Sequence, residues 1–245
     1  MARRVPEAGL QVAAAGRARQ RPRLRVGGLT PFTSIDFPGK LSAVVFVQGC
    51  PWRCGYCHNP HLQPRDAGTG PAWPELRAWL QRRVGLLDGV VFSGGEPTLD
   101  PALGQAMDEV HALGLAVGLH SAGIYPRRLQ QLLPQADWVG LDVKAALDDD
   151  TLHDRITGVP GSAAAARASL RLLLDSGTAH ELRTTVHPLL QDDVTLLRLA
   201  EGLVRQGARR WALQLARPAL PPWQPADETL ARLGTMFDHF ELRGA

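Results

Sequence analysis

The sequence predicts a parallel α/β fold, and the pattern is compatible with a partial (β/α)6 barrel or an open doubly wound sheet. Three observations carry the prediction. From residue 41 onward, six short β-rich runs alternate with six amphipathic stretches, as parallel strands joined by right-handed crossovers do. The runs are mostly apolar rather than alternating, as expected of strands covered on both faces. Polar or glycine-rich residues collect at the C-terminal end of one run after another, which is where both architectures place their chemistry.

Taken in order, strands are expected at 41–47 (LSAVVFV), 89–93 (GVVFS), 115–120 (LAVGLH), 138–143 (WVGLDV), 181–187 (ELRTTVH) and 210–215 (RWALQL). Helices are expected at 73–84, 101–113, 126–133, 162–176, 193–206 and 226–239. Their ends carry local signals. Asp100-Pro101 opens one and Gly114 closes it, and Gly177 and Gly207 close two others, because proline is pre-set for a first turn and glycine for the left-handed residue after a last one.

Composition narrows the class. The chain has 245 residues, 44% hydrophobic and 21% charged, enough for one well-packed domain. No apolar run approaches the roughly 18–20 residues that span a bilayer, so no membrane association is expected. The formal charge of +3 is misleading, because residues 1–25 hold seven Arg against Glu7 alone and the other 220 residues sum to −3. The body therefore has no claim to nucleic acid. Residues 1–25 are expected to form a disordered Arg-rich extension, although Arg3-Arg4 and a short Ala/Val stretch faintly resemble an export signal; residues 26–245 are expected to form the functional domain. Arg outnumbers Lys 25 to two, so Lys40 and Lys144 stand out as positions where a compact ammonium is wanted.

Only three Cys occur, Cys50, Cys54 and Cys57, within eight residues. An odd, tightly spaced set is a metal site in a reducing compartment rather than a disulfide framework, so a cytoplasmic protein is expected. C-x3-C-x2-C after a buried strand can hold three corners of a [4Fe-4S] cube, leaving the fourth iron without a thiolate and able to bind a substrate. Other readings of the same residues are a structural zinc site completed by His58 or His61, a haem attachment at Cys54-Gly-Tyr-Cys57-His58, or buried unliganded thiols.

The spacing Cys50-x3-Cys54-x2-Cys57 with Tyr56 before the last Cys resembles the signature of radical S-adenosylmethionine (SAM) enzymes, and Gly94-Gly95-Glu96-Pro97 resembles their GGEP motif. TPFTSIDFPGK (30–40), QGC (48–50), CHNP (57–60), VFSGGEPT (91–98), LDVKA (141–145) and ELRTTVH (181–187) together resemble the activating proteins of anaerobic (class III) ribonucleoside-triphosphate reductase. The resemblance implies a partial (β/α)6 barrel of the radical SAM type, a [4Fe-4S] cluster on Cys50, Cys54 and Cys57, and SAM as cosubstrate. It also implies reductive cleavage of SAM to a 5′-deoxyadenosyl radical that abstracts hydrogen from a glycine of the partner, a glycyl-radical enzyme. A flavodoxin or ferredoxin-type donor would supply the electron.

Cosubstrate contacts are expected at Tyr56, Ser93, Gly94, Gly95, Glu96, Ser121, Lys144 and Arg183. The two glycines let backbone approach closely, and Glu96 offers an anionic acceptor for an ammonium. Lys144 and Arg183 can meet a carboxylate or ribose oxygens, or else form rim ion pairs with Asp142 or Glu181. Ser121-Ala122-Gly123 stands where relatives usually show Thr-Asn-Gly, a loss of one amide. Tyr56 serves through its backbone or simply packs its ring. His58 and His61 can tune a cluster through hydrogen bonds to sulfur. Trp52, Trp223 and the Pro218–Pro225 run read as a lid or partner surface. A radical SAM enzyme acting on a small molecule or peptide, and a non-enzymatic zinc-stabilised binding protein, are the competing functions.

Overall fold

The computed structural model describes residues 23–65, 70–216 and 223–244; residues 1–22, Arg217 and 218–222 of the proline-rich run lie outside the described residues. Eight strands form one sheet in chain order: β1 (Val26–Thr33), β2 (Ser42–Val47), β3 (Gly89–Gly94), β4 (Ala116–Ser121), β5 (Trp138–Asp142), β6 (His180–Val186), β7 (Arg210–Leu215) and β8 (His239–Arg243). β1 runs antiparallel to β2, and every later pair is parallel. The helices are α1 (Trp73–Gln81), α2 (Leu103–His111), α3 (Pro126–Leu132), α4 (Asp150–Thr157), α5 (Ser162–Ser176), α6 (Asp193–Arg205) and α7 (Asp227–Met236). A doubly wound sheet reverses its strand order at a switch point. Here the order never reverses, so right-handed crossovers put the helices on one face and the sheet rolls around the other. Strand order thus selects the partial barrel. β1 and β8 are the two ends of the hydrogen-bonded order, so the roll stays open between them.

The six predicted strands are present, and the structure adds three elements. β1 reads VGGLTPFT; its two glycines and proline look like breakers, yet an edge strand tolerates them. β8 takes over the end of the helix expected to 239, which stops at Met236. α4 is a polar helix capped by the Asp149 side chain and closed by Gly158 in the left-handed region, and its polarity hid it from a hydrophobic-pattern reading.

The strands also alternate, which their apolar content concealed. Val45, Phe92, Leu119, Leu141, Leu182 and Leu213 face the helices in the main core, with Leu80, Met107, Leu129, Leu173 and Leu199 among the residues packed there. Truncating any such residue to Ala costs about 2–5 kcal/mol. The next residue on each of β2–β7 points inward: Phe46, Ser93, His120, Asp142, Arg183 and Gln214 line one cavity.

The N-terminal end of the barrel is closed by the β1–β2 connection. Phe37 stacks on Trp138 at 5.7 Å between ring centroids, and the Asp36 carbonyl accepts a hydrogen bond from His120 Nε2 at 2.9 Å. Gly118 makes room for this plug, since a Cβ there would stand 3.1 Å from the Phe37 ring. Beside it, Arg243 on β8 donates to both oxygens of buried Glu181 at 2.8 and 3.0 Å and to Glu241 at 2.8 Å.

Candidate active site

The three cysteines sit on the loop after β2, at the C-terminal mouth of the barrel. Main-chain bonds fix its start: Gly49 N–H donates to Leu62 O, Cys50 N–H to Gln63 O, Gly95 N–H to Val47 O and Glu96 N–H to Gly49 O. Gly95 must be glycine, because a Cβ there would run into Gly49 O and stand 3.0 Å from Cys50 Cβ. The buried Gln48 side chain donates to His61 O and Pro64 O at 3.1 and 2.5 Å, fastening the far end of the loop.

Cys50, Cys54 and Cys57 are free, half-buried thiols, and all three line the cavity of about 270 Å³ at the barrel mouth. Tyr56, Ser93, Gly94, Gly95, Ser121, Lys144 and Arg183 line it with them. Burial, and then the nearby Glu96 carboxylate, push the Cys50 thiol up to about 12, and burial raises Cys54 as well. Such a site favours ionised sulfur only when a cation joins it.

Asp142, at the end of β5, organises the cations. Its carboxylate accepts from Lys144 Nζ at 3.3 Å and from Arg183 at 3.0 and 3.2 Å. Burial opposes its charge, but Lys144 and Arg183 outweigh that and hold its pKa below the ordinary value. Burial likewise disfavours the Lys144 ammonium, and the Tyr56 oxygen, Asp142 and Cys54 outweigh it, so that pKa lies above the ordinary value. Two cations on one carboxylate leave net positive charge facing the cavity. Lys144 also lies 5.8 Å from the Tyr56 ring centroid and 6.0 Å from that of Trp52, within cation–π range.

Several expectations change here. Glu96 does not line the cavity: it is fully buried, and its carboxylate accepts from Thr98 N, Thr98 Oγ1 and Ser121 Oγ at 3.1, 2.5 and 2.8 Å and from Ala122 N at 2.9 Å. It ties the β3 loop to the β4 loop, and burial raises its pKa. Ser121 spends its hydroxyl proton on that tie, and Ala122 contributes its backbone N–H. Glu181 is no rim partner for Lys144 or Arg183, since Arg243 holds it at the other end of the barrel. Trp52 is buried, edge-on to His153 at 5.4 Å, rather than part of a partner surface, and Trp223 packs partly buried against the main core. The Tyr56 ring is buried and stacked on His187 at 6.5 Å. Sequence reasoning missed Asp36 and His120 as cavity residues. The two-residue period of β4, with Gly118 and His120 on the inner face, was the available signal for the histidine.

The residues fit a cluster with a bound cosubstrate. Among the described residues, the buried Tyr56 hydroxyl has no hydrogen-bond partner, as a group completed by a ligand would. Among the described residues, only Glu181, His239 and Glu241 bring three ligand atoms within 4.8 Å of one another; the three thiols do not. A single tetrahedral zinc would hold its thiolates ~3.8 Å apart, whereas a cube takes each on a different iron.

A rolled α/β sheet with three cysteines and a Gly-Gly turn at its C-terminal mouth defines the class: an enzyme fold that holds an iron–sulfur cluster beside a small cosubstrate. The Radical SAM superfamily profile matches residues 44–200. The pyruvate formate-lyase-activating enzyme of Clostridium pasteurianum is 34% identical over 130 residues, covering 51% of this chain and 54% of that protein. That of Streptococcus mutans is 32% identical over 197 residues, covering 72% and 70%. A crystal structure of a domain of pyruvate-formate lyase-activating enzyme from Bacteroides vulgatus superposes with a TM-score of 0.52 at 17% identity, covering 63% of this chain and 98% of that one. The chain belongs to the radical SAM superfamily and is homologous to glycyl-radical-enzyme activating enzymes. It spans about half the length of the first of these relatives. The family's cofactors are a [4Fe-4S] cluster and SAM. No described helix is long and apolar enough to cross a membrane.

Proposed function

We propose that this chain is an activating enzyme that installs a glycyl radical on a partner protein, that the partner is an anaerobic ribonucleoside-triphosphate reductase, and that residues 26–245 form the catalytic unit. The supporting observation is convergence: the three thiols, the Gly-Gly turn and a carboxylate bearing two cations all face one cavity at the barrel mouth. Cys50, Cys54 and Cys57 would hold three irons, and with no fourth cysteine in the sequence the remaining corner would be open to the cosubstrate. When bound, the cluster would supply one-electron reductive cleavage of SAM, fed by a flavodoxin or ferredoxin-type donor, and the resulting radical chemistry would remove hydrogen from the partner's glycine.

The protein's own part is placement. Lys144 and Arg183, held by Asp142, present net positive charge to the methionyl carboxylate. Gly94 and Gly95 bring backbone close, and Ser93 with the unpartnered Tyr56 hydroxyl offers polar contacts. His120 stays neutral, because burial and then Arg183 push its pKa well below the ordinary value, so it adds no further charge. Glu96 works from behind the wall by keeping Ser121 and Ala122 in register.

Relatives named as pyruvate formate-lyase-activating enzymes favour a second partner, a glycyl-radical lyase. The discriminating assay mixes reconstituted protein, SAM and reductant with each candidate partner and records the glycyl EPR doublet. A doublet with the reductase supports the proposal, and a doublet with the lyase alone redirects it. SAM cleavage with neither signal would favour a small-molecule or peptide substrate.

A further inference from the structure

The cysteine loop is braced from outside the barrel as well as from within. α4 is an extra helix in the β5–β6 connection, and its last turn meets the loop: Arg53 N–H, between the first two cysteines, donates to Thr157 O at 2.8 Å. Trp52, next to it, is only 3% exposed and stands edge-on to the His153 ring, 5.4 Å between centroids and 81° between planes. On its other side Trp52 belongs, with Tyr56, to the aromatic surroundings of the Lys144 ammonium.

The hydrogen bonds behind His153 assign its proton. Ser162 Oγ lies 2.9 Å from Asp154 Oδ1 and donates its one proton to that carboxylate, which also takes the backbone N–H of Ser162 and Gly161 at 3.0 and 2.8 Å. The 2.7 Å contact between Ser162 Oγ and His153 Nδ1 is therefore donated by the imidazole, and Thr157 Oγ1 donates its own 2.7 Å contact to the same oxygen. His153 thus carries its proton on Nδ1. Nε2 is a bare lone pair, buried without a partner among the described residues, and the ring is neutral because burial lowers its pKa to about 4. An orphaned buried acceptor is unfavourable, and an apolar side chain would fill the same space without it. What the imidazole offers that a leucine does not is a flat ring locked in one orientation by Ser162.

We propose that His153 is a positioning residue for SAM: the chain Asp154–Ser162–His153 fixes the Trp52 indole, and through it the cysteine loop and the Lys144 ammonium. The inference rests on the cofactor assignment above and adds a residue that does not line the cavity. Supporting partners around a metal centre of this kind typically matter by about 10–100-fold.

The test uses the full chain, reconstituted anaerobically, as wild type and as His153→Ala, His153→Phe and Ser162→Ala. Iron content and thermal midpoint are measured first, then the EPR spectrum of the reduced cluster with and without SAM, and the SAM dissociation constant. The expected result is wild-type iron content in all variants, a SAM dissociation constant raised about tenfold in His153→Ala and Ser162→Ala, and a broadened SAM-bound EPR signal. His153→Phe, which keeps a ring but not its hydrogen bond, recovers part of the affinity. Should His153→Ala not fold, Ser162→Ala carries the test, because it leaves the ring in place and frees it to turn. Wild-type SAM affinity and spectra in a folded variant, with only the thermal midpoint lowered, would overturn the proposal by making His153 a space filler. A wild-type protein whose reduced cluster does not respond to SAM would overturn it together with the cofactor assignment beneath it.

Discussion

The two ends of the barrel each hold an ion cluster anchored on buried residues, Glu181 at one end and Lys144 with Arg183 at the other, and the clusters differ in balance. At the closed end, Arg243 is gripped by two carboxylates, Glu181 and Glu241, with two parallel hydrogen bonds to the first. At the mouth, one carboxylate, Asp142, is shared by two cations, Lys144 and Arg183. Arg243 has its donors taken up within the protein, and Phe37 stacked on Trp138 seals the floor beside it. The mouth cluster keeps a surplus of positive charge over a cavity lined by thiols. A satisfied ion cluster holds strands together, whereas an unbalanced one is suited to a further anion.

Substitutions at the two ends should separate these roles, and the largest effect belongs at the mouth. Cys50→Ala removes one corner of the cluster and should abolish both iron–sulfur absorbance and SAM cleavage; retained cleavage would break the ligand assignment. Lys144→Met should follow, lowering kcat/KM for SAM by about a hundredfold or more, on the order of 3 kcal/mol, with iron content unchanged. At the closed end, Glu181→Gln should cost about 2–3 kcal/mol of folding stability, below the 3–5 kcal/mol of a fully isolated buried charge because Glu241 still faces Arg243. Denaturant unfolding measures that loss, while SAM cleavage per folded molecule should stay at the wild-type level. If Glu181→Gln instead impaired SAM use at full stability, the division between the two ends would fail.

The smallest effect is a dependence on pH. The folded-state pKa of His153 is depressed to about 4 from the ordinary 6.5, and that of His120 is depressed too. A group whose pKa is depressed on folding contributes stability that is complete above its unfolded value and lost as pH falls through the folded one. Stability should therefore decline on acidification from about 6.5 toward 4. His153→Gln should make the decline shallower, as urea midpoints measured across that range would reveal.

Much of this was legible in the sequence because the signals are local. The Cys50–Cys57 spacing and the Gly94-Gly95 turn are contiguous, and Asp142 and Lys144 end a strand whose apolar core residues announce it. The elements that escaped depend on tertiary context. β1 contains Gly27, Gly28 and Pro31, which only its edge position tolerates. The choice between barrel and doubly wound sheet lies in strand order, which no run of residues encodes by itself. Glu96 was expected to face the cosubstrate because the motif that contains it does, but the direction of its side chain depends on Ser121 and Ala122, one strand away. His153 lies on a polar helix with no periodic apolar stripe, so nothing near it in the sequence points to Trp52, about a hundred residues earlier.

The ties that seat the sulfur-bearing loop run through the amide protons of Gly49, Cys50, Gly95 and Glu96. Ordinary side-chain replacement leaves an amide proton where it is, so neighbouring positions such as Pro51 or Ala122 are free to drift over evolutionary time without dislodging the anchorage. Proline, having no amide proton, would cut one of these moorings, and at Gly95 any side chain would do so by running into Gly49 O.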